Sequence, residues 1–146
     1  MPRFDPETVI RLVSELRKST ARLRGLAQIE KKAFLSDPDK IASAKYHFIV
    51  AIESCIDMCN HLIARNGFRV PEDYADTFRV MAEEGVLEED FAAELAKMAK
   101  FRNRLVHIYW EISDRQLREI LMTRLGDFAT LIGSLSAYLD LENLTV

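Results

Sequence analysis

Residues 38–65, PDKIASAKYHFIVAIESCIDMCNHLIAR, decide the fold, because this long segment has apolar side chains at three- and four-residue spacing and no internal breaker. Such spacing predicts an α-helix. The segment carries too much apolar surface for one narrow stripe, on Ile41, Phe48, Ile49, Ile52, Ile56, Cys59, Leu62 and Ile63. We therefore expect either the central helix of a bundle or a helix that a second subunit covers.

Helix start and stop signals divide the rest of the chain. Asp5-Pro6-Glu7 and Asp37-Pro38-Asp39 each place an Asp N-cap before a proline at the first helical position. Asn66-Gly67 closes the long helix, and Gly85 ends a shorter one. The predicted helices cover residues 6–34, 38–65, 72–84, 88–110 and 113–139. The sequence thus predicts an all-α protein, an up-and-down four-helix bundle with an additional short helix.

Composition limits the possible classes of protein. The 146 residues include 20 Lys and Arg and 23 Asp and Glu, and 49% of them are apolar. We expect one domain over residues 1–146, with no basic surface that coats nucleic acid, so any RNA site is local. No stretch approaches the run of about 18 apolar residues that a membrane span needs, and the N-terminus lacks the apolar core of a secretory signal. We predict a cytoplasmic protein without a membrane partner.

Several small residues have packing interpretations. Gly25 interrupts the first predicted helix and indicates a close helix crossing, a bend or tolerated slack. Cys55 and Cys59 lie one helical turn apart, with Cβ atoms about 5 to 6 Å apart. That distance exceeds the roughly 3.5 to 4.5 Å of a disulfide, so we interpret both as buried hydrophobes. A stripe of small residues predicts the close approach of another helix to Gly126, Ala129, Gly133 and Ala137.

Charge is distributed unevenly along the chain. Residues 72–94 contain nine acids and one base, a pattern typical of a solvated face. The next stretch reverses the sign, with four cations and no acid over residues 97–104, namely Lys97, Lys100, Arg102 and Arg104. These cations surround the segment that carries the most chemistry.

That segment is residues 102–110, RNRLVHIYW, which concentrates one His, one Tyr, an amide and two guanidinium groups. A metal-free phosphodiester cleavage needs an imidazole to move protons and an Arg to hold the phosphate and offset the charge developing on it. A His and an Arg near a helix end are also typical of a capping or salt-bridging pair. Composition alone leaves both interpretations open.

The spacing Arg102-x4-His107-x-Tyr109, with Asn103 directly after the Arg, resembles the signature of HepT-like toxins, members of the HEPN superfamily of small helical ribonucleases. Residues 51–61 and 71–86 share the resemblance, which covers residues 40–139. It implies a HEPN-like fold and a metal-independent RNA endonuclease toxin without a cofactor. It also implies a homodimer and a nucleotidyltransferase antitoxin that silences the toxin by adding AMP groups to the motif tyrosine, here Tyr109.

Under this interpretation Arg102 and His107 are the catalytic residues, with Arg102 on the scissile phosphate and His107 transferring protons. Asn103, Arg104 and Tyr109 are supporting RNA-binding residues, and Tyr109 is also the modification site. At about 100° per residue, one straight helix separates Arg102 from His107 by roughly 140°, whereas it aligns Asn103 with His107 and Arg102 with Tyr109. We therefore expect either a break in the helix or a two-fold-related partner that supplies the second set of groups. The predicted position of the break is near Phe101.

The remaining polar and aromatic candidates each have more than one possible role. Trp110 belongs to packing or to a dimer groove, and His47 and His61 are structural or surface residues. Glu53, Asp57 and His61 lie at four-residue spacing, which leaves a metal site open, although we predict no metal in the motif. A simpler role has Glu53 or Asp57 hydrogen-bonding a cation of the motif and fixing its rotamer.

Two other functions compete with the nuclease. The first is a non-catalytic dimeric helical binding module that partners a nucleotidyltransferase and uses the motif as a docking or acceptor surface. The second keeps Arg102 as a salt bridge at a helix end and assigns no activity. RNA cleavage in the presence of a chelator separates the nuclease from both.

Overall fold

The computed structural model describes residues 1–142 and 144–146, which form seven α-helices and one short 3₁₀ turn. All regular structure in this part of the chain is helical, which confirms the predicted all-α class. A 3₁₀ turn, Tyr109–Glu111, follows the fifth helix. The helices are α1 (Pro6–Ala27), α2 (Lys31–Leu35), α3 (Pro38–Asn66), α4 (Tyr74–Glu83), α5 (Glu89–His107), α6 (Asp114–Thr123) and α7 (Gly126–Leu139).

Helix α3 is the centre of the bundle, as predicted. It packs against α1 along its length and also contacts α4, α5 and α6. Its apolar side chains are buried on more than one side, because these neighbours surround it. The residues that it contributes to the core include Phe48, Ile52, Ile56, Met58 and Leu62.

Among the described residues, α3 alone has the length and composition of a membrane span, with a mean hydropathy of 1.2 over 18 residues. The expectation that no stretch approaches such a run is therefore wrong for this helix. The reason is its central position, since 56% of that window is buried inside the bundle.

Both predicted Asp-Pro starts are N-caps. The Asp5 carboxylate accepts a hydrogen bond from the Glu7 amide, and the Asp37 carboxylate accepts one from the Asp39 amide at 3.0 Å. Gly67 ends α3 with a φ of 67°, in the left-handed region that favours glycine. These local signals therefore fix both ends of the central helix.

The predicted helix over residues 6–34 is two helices. α1 ends at Ala27, and the Glu30 carboxylate caps α2 by accepting hydrogen bonds from the amides of Lys32 and Ala33. A Glu in the cap position gives no strong sequence signal, because Asp, Asn, Ser and Thr are the usual N-caps.

The predicted helix over residues 113–139 is also two helices, with α6 ending before Arg124. The Arg124 guanidinium lies 2.8 Å from a carboxylate oxygen of Glu94 on α5 and 2.8 Å from one of Asp127. This side chain thus joins the connection between α6 and α7 to α5, a contact between residues distant in sequence.

The small residues do not mark close helix contacts in the described chain. Apart from the glycine itself, its chain neighbours and the backbone of its own helix, no atom of the described chain lies within 4 Å of the position that a Cβ would take at Gly25, Gly126 or Gly133. Helix α1 continues through Gly25, so tolerated slack is the correct interpretation there. The helix approach predicted for Gly126, Ala129, Gly133 and Ala137 is wrong within this chain, because α7 buries a different face, formed by Phe128, Leu131, Ile132, Leu135 and Leu139.

Two glycine substitutions are expected to change stability in opposite directions. Gly25→Ala should raise the free energy of unfolding by about 0.5–1 kcal/mol, because a helix-interior Ala has better propensity and its methyl group meets open space. Gly67→Ala should lower it by about 1–2 kcal/mol, the cost of left-handed backbone with a Cβ. Urea denaturation of both variants measures the difference, and a destabilised Gly25→Ala protein would contradict the packing described here.

The start of α4 is fixed by an ion-pair network. Arg69 donates from Nη1 to Asp76 at 2.7 Å and from Nη2 to Glu83 at 2.9 Å. The hydrogen bond from Arg69 lowers the pKa of Asp76 to about 2. Asp76 is buried, so the prediction of a solvated face over residues 72–94 is wrong at this position. Arg69 compensates the buried charge, and the network anchors the helix that begins at Tyr74.

Cys55 and Cys59 are free and buried in the core, as predicted. Burial raises the pKa of the Cys59 thiol to about 12, which keeps it protonated. Both side chains therefore pack as small apolar groups.

Candidate functional site

The end of α5 presents the predicted motif. The helix continues without a break from Glu89 to His107, so the predicted break near Phe101 is wrong. Phe101 is buried and packs edge-to-face on Phe48 of α3, with ring centroids 5.6 Å apart. This contact fixes the helix where the break was expected. A two-fold-related partner that supplies the second set of groups stays a prediction.

Arg102 is held from three directions. Its Nε and Nη2 donate to Oε1 of Glu53 at 3.1 and 2.6 Å, and its Nη1 donates to Oδ1 of Asn103 at 3.1 Å. The guanidinium carbon lies 5.0 Å from the centroid of the Tyr74 ring. The prediction that Glu53 or Asp57 fixes a motif cation is confirmed for Glu53.

The arrangement leaves part of the guanidinium free for a ligand. An Arg side chain has five N–H donors, and the contacts to Glu53 and Asn103 use three of them. Among the described residues, one N–H on each terminal nitrogen has no hydrogen-bond partner. The pair lies at the surface, with the side chains of Arg102 and Glu53 exposed by 13% and 40%. Because Glu53 offsets the positive charge, Arg102 offers directed hydrogen bonds more than net charge.

His107 is the last residue of α5, and its side chain is exposed. The amide of the next residue, Ile108, donates to the Arg104 carbonyl at 2.9 Å and closes the helix. In residues 1–142 and 144–146, the imidazole has no hydrogen-bond partner, so it is available to a ligand. Arg102 and His107 point about 140° apart around this helix, so one chain does not aim both at one phosphate.

Tyr109 lies in the 3₁₀ turn and not on α5, so its predicted alignment with Arg102 on one helix face is wrong. Its side chain is 43% exposed. The ammonium of Lys45 lies 4.0 Å from the centroid of its ring and donates to its carbonyl oxygen at 3.4 Å. The contacts with Lys45 fix the turn against α3.

Sequence analysis missed Lys45 and Tyr74. The sequence contains a signal that could have identified Lys45, since it is the one cation on the apolar stripe of α3 that includes Ile41, Phe48 and Ile52. Tyr74 belongs to the segment that resembles the HepT-like toxins. Nothing in the sequence indicates that it contacts Arg102, because they lie on different helices.

The remaining candidates have these positions. Trp110 is 78% exposed, so it does not pack within the chain, and its place in a dimer groove stays a prediction. His61 accepts a hydrogen bond from the Asp5 amide at 2.9 Å, which confirms a structural role. The described residues include no group of three His, Cys, Asp or Glu side chains arranged to hold a metal ion. The stripe of Glu53, Asp57 and His61 does not form one, because Arg102 and the Asp5 amide occupy two of its members.

Comparison with known families identifies the family of this chain. Residues 16–135 match the family described as "Ribonuclease HepT-like". The chain therefore belongs to the HepT-like ribonuclease family, and the resemblance inferred from the motif is confirmed.

Two curated relatives carry nuclease names. The "mRNA nuclease HepT" of Shewanella oneidensis is 28% identical over 85 residues, which are 58% of this chain and 64% of that protein. A "Putative RNase" of Archaeoglobus fulgidus is 30% identical over 95 residues, 65% of this chain and 69% of that protein. The first alignment thus spans less than two thirds of the relative's own length.

A solved structure of similar fold is the tri-AMPylated Shewanella oneidensis HEPN toxin in complex with MNT antitoxin. The TM-score is 0.83 at 22% identity, over 89% of this chain and 97% of that chain. At this identity the match shows a shared HEPN fold.

Proposed function

We propose that this chain is a metal-independent endoribonuclease, the toxin of a toxin–antitoxin pair, that works as a homodimer. The observation that carries the proposal is the orientation of Arg102, which Glu53, Asn103 and Tyr74 hold in a partly exposed position with two N–H donors unpaired among the described residues. A preoriented donor pair of this kind stabilises charge on a phosphate without reorganisation during the reaction. Membership of a ribonuclease family and the nuclease names of two relatives support it.

His107 moves protons in the proposed reaction. It takes the proton of a ribose 2′-hydroxyl, and the 2′-oxygen then attacks the adjacent phosphorus. The bond from phosphorus to the 5′-oxygen breaks and leaves a cyclic phosphate on one strand, while the 5′-oxygen of the leaving strand takes up the proton that His107 accepted. Arg102 binds the phosphate oxygens, and Asn103 orients Arg102 by accepting a hydrogen bond from it. Arg104 adds an auxiliary phosphate contact.

A homodimer brings the two catalytic residues together. Arg102 and His107 of one chain point about 140° apart, so each cleavage centre combines Arg102 of one protomer with His107 of its partner. Trp110, which is highly exposed, lies beside this motif and belongs to the groove between protomers. The single domain over residues 1–146 is then half of the working nuclease.

Regulation follows from the position of Tyr109. Its half-exposed side chain is accessible to a cognate minimal nucleotidyltransferase antitoxin, which adds AMP to the phenolic oxygen. A similar fold occurs in the tri-AMPylated Shewanella oneidensis HEPN toxin in complex with MNT antitoxin. We place the pair in the cytoplasm, without a membrane partner.

Replacing Arg102 by Ala tests the proposal. Loss of one preorganised donor group should reduce metal-free cleavage by about 10²–10³, measured with purified protein, single-stranded RNA and a chelator. Arg24→Ala is the matched control, because Arg24 is an exposed arginine of α1 outside the motif. Circular dichroism checks that both variants keep the fold. Chelator-resistant cleavage at an unchanged rate in Arg102→Ala would remove Arg102 from the site, whereas a wild-type protein that cleaves no RNA would favour the non-catalytic binding module.

A further inference from the structure

Lys45 is a buried cation that has no carboxylate partner in the described chain. Its side chain lies on the core face of α3 and is 6% exposed. Its ammonium contacts the ring and the carbonyl oxygen of Tyr109. In residues 1–142 and 144–146, no carboxylate lies within ion-pair distance of it.

An unpaired buried ammonium is costly, because buried charges lose hydration and are usually paired. Arg102 shows the contrast within the same site, since Glu53 accepts two hydrogen bonds from it. The carbonyl oxygen of Tyr109, at 3.4 Å, and the face of its ring compensate only part of the hydration free energy that Lys45 loses on burial. Packing alone would favour an apolar residue at this position.

The geometry also gives Lys45 access to the surface. Its ammonium lies 4.0 Å from the centroid of a ring that is itself 43% exposed. The phenolic oxygen of Tyr109 is at the rim of that ring. A flexible four-carbon stem lets the ammonium follow an anion at that rim while its methylene groups stay against the core.

We propose that Lys45 is an anion-binding residue of the site, and that its ammonium binds a phosphodiester positioned at the Tyr109 hydroxyl. This inference rests on the proposed function. Two molecules can supply this phosphodiester: bound RNA, through one of its backbone phosphates, or the AMP group carried by Tyr109. In the second case the phenolic oxygen attacks the α-phosphorus of ATP, pyrophosphate leaves, and the phenolic proton passes to a base or to water. Lys45 takes no part in the bond changes.

The test compares Lys45→Met, which keeps the chain length without the charge, with Lys45→Arg, which keeps the charge. Because the uncompensated charge opposes folding, Lys45→Met should raise the melting temperature by about 2–4 °C. A gain in stability together with a loss of anion binding is a combination that a purely structural lysine does not produce.

The RNA arm measures binding without cleavage. A fluorescent RNA with 2′-O-methyl groups is resistant to attack by its own 2′-oxygen, so its dissociation constant reports binding alone. The slope of log K against log salt should fall by about 0.7 in Lys45→Met, the loss of one phosphate contact on a single strand. Lys45→Arg should keep the wild-type slope.

The AMP arm measures protection of the modified tyrosine. Protein that carries AMP on Tyr109 is treated with a phosphodiesterase, and removal of AMP is followed by intact mass. We expect at least about tenfold faster removal from Lys45→Met than from wild type, the loss of roughly one charge-assisted contact. Lys45→Arg should stay close to wild type.

A change in either arm supports the inference and identifies the source of the phosphodiester. Unchanged behaviour of Lys45→Met in both arms would overturn it, and if the tyrosine accepts no AMP, the RNA arm alone decides. Neither readout uses RNA cleavage. A protein that binds RNA through Lys45 but cuts none would therefore contradict the nuclease proposal and leave this inference standing.

Discussion

Replacing His107 by Ala is expected to reduce metal-free RNA cleavage by about 10²–10⁴, the usual contribution of a positioned proton-transfer group. The exposed His107 side chain has no hydrogen-bond partner in the described chain, so the free energy of unfolding should change by less than about 0.5 kcal/mol. His61→Ala is the matched control. It removes the hydrogen bond to Asp5 and should cost about 1 kcal/mol of stability while cleavage persists. Chelated cleavage assays and urea denaturation measure both quantities.

The same variant reports on the dimer. If each centre combines Arg102 of one protomer with His107 of the other, exchanging subunits between Arg102→Ala and His107→Ala proteins rebuilds one complete centre in each mixed dimer. Random exchange should then restore about a quarter of wild-type cleavage. Mixtures that remain inactive after verified exchange would show that both groups act within one chain, and His107→Ala cleavage near the wild-type rate would remove His107 from the reaction.

Adding AMP to Tyr109 is expected to abolish cleavage, with a loss of at least about 100-fold. The adduct adds negative charge and bulk at the proposed binding site of the RNA phosphate, so it should repel the substrate. Tyr109→Phe keeps the ring that Lys45 contacts but has no acceptor oxygen, so it should stay active in the presence of the nucleotidyltransferase and ATP. Intact mass and a cleavage time course follow the two events together.

The matched control for this prediction is Tyr46→Phe. Tyr46 is also exposed, at 61%, and lies on α3 next to Lys45 in the sequence. Tyr46→Phe should accept AMP and lose activity as the wild type does. Modification of Tyr109 confirmed by mass, with cleavage at the unmodified rate, would contradict the regulatory proposal.

Local and periodic features of the fold could be predicted from the sequence. The apolar spacing of residues 38–65 predicts the central helix, and Asp5, Asp37 and Gly67 act as the caps that their residue types suggest. The breaks after Ala27 and before Gly126 were missed. The break after Ala27 depends on Glu30, an unusual residue for an N-cap. At the break before Gly126, Arg124 forms ion pairs, one of them with Glu94 of α5.

The candidate site likewise has features that the sequence predicts and features that it does not. The motif was predicted from its spacing along one helix, and the pairing of Glu53 with a motif cation was predicted from the chemistry of a carboxylate and a guanidinium, although this pair joins α3 to α5. The roles of Tyr74 and Lys45 depend on contacts between helices, which single-helix periodicity does not encode. The end of α5 at His107 was also missed, and this moves Tyr109 off the helix and over Lys45.

The ion pair between Arg102 and Glu53 has a kinetic consequence. Two opposite charges in contact form a dipole whose field decays within a short distance, so the pair exerts little long-range pull on a polyanion. The pair therefore contributes little electrostatic steering to the proposed encounter with RNA, and its share of the association rate constant should vary only weakly with ionic strength. Capture of a strand instead depends on how well its geometry fits the donors after collision.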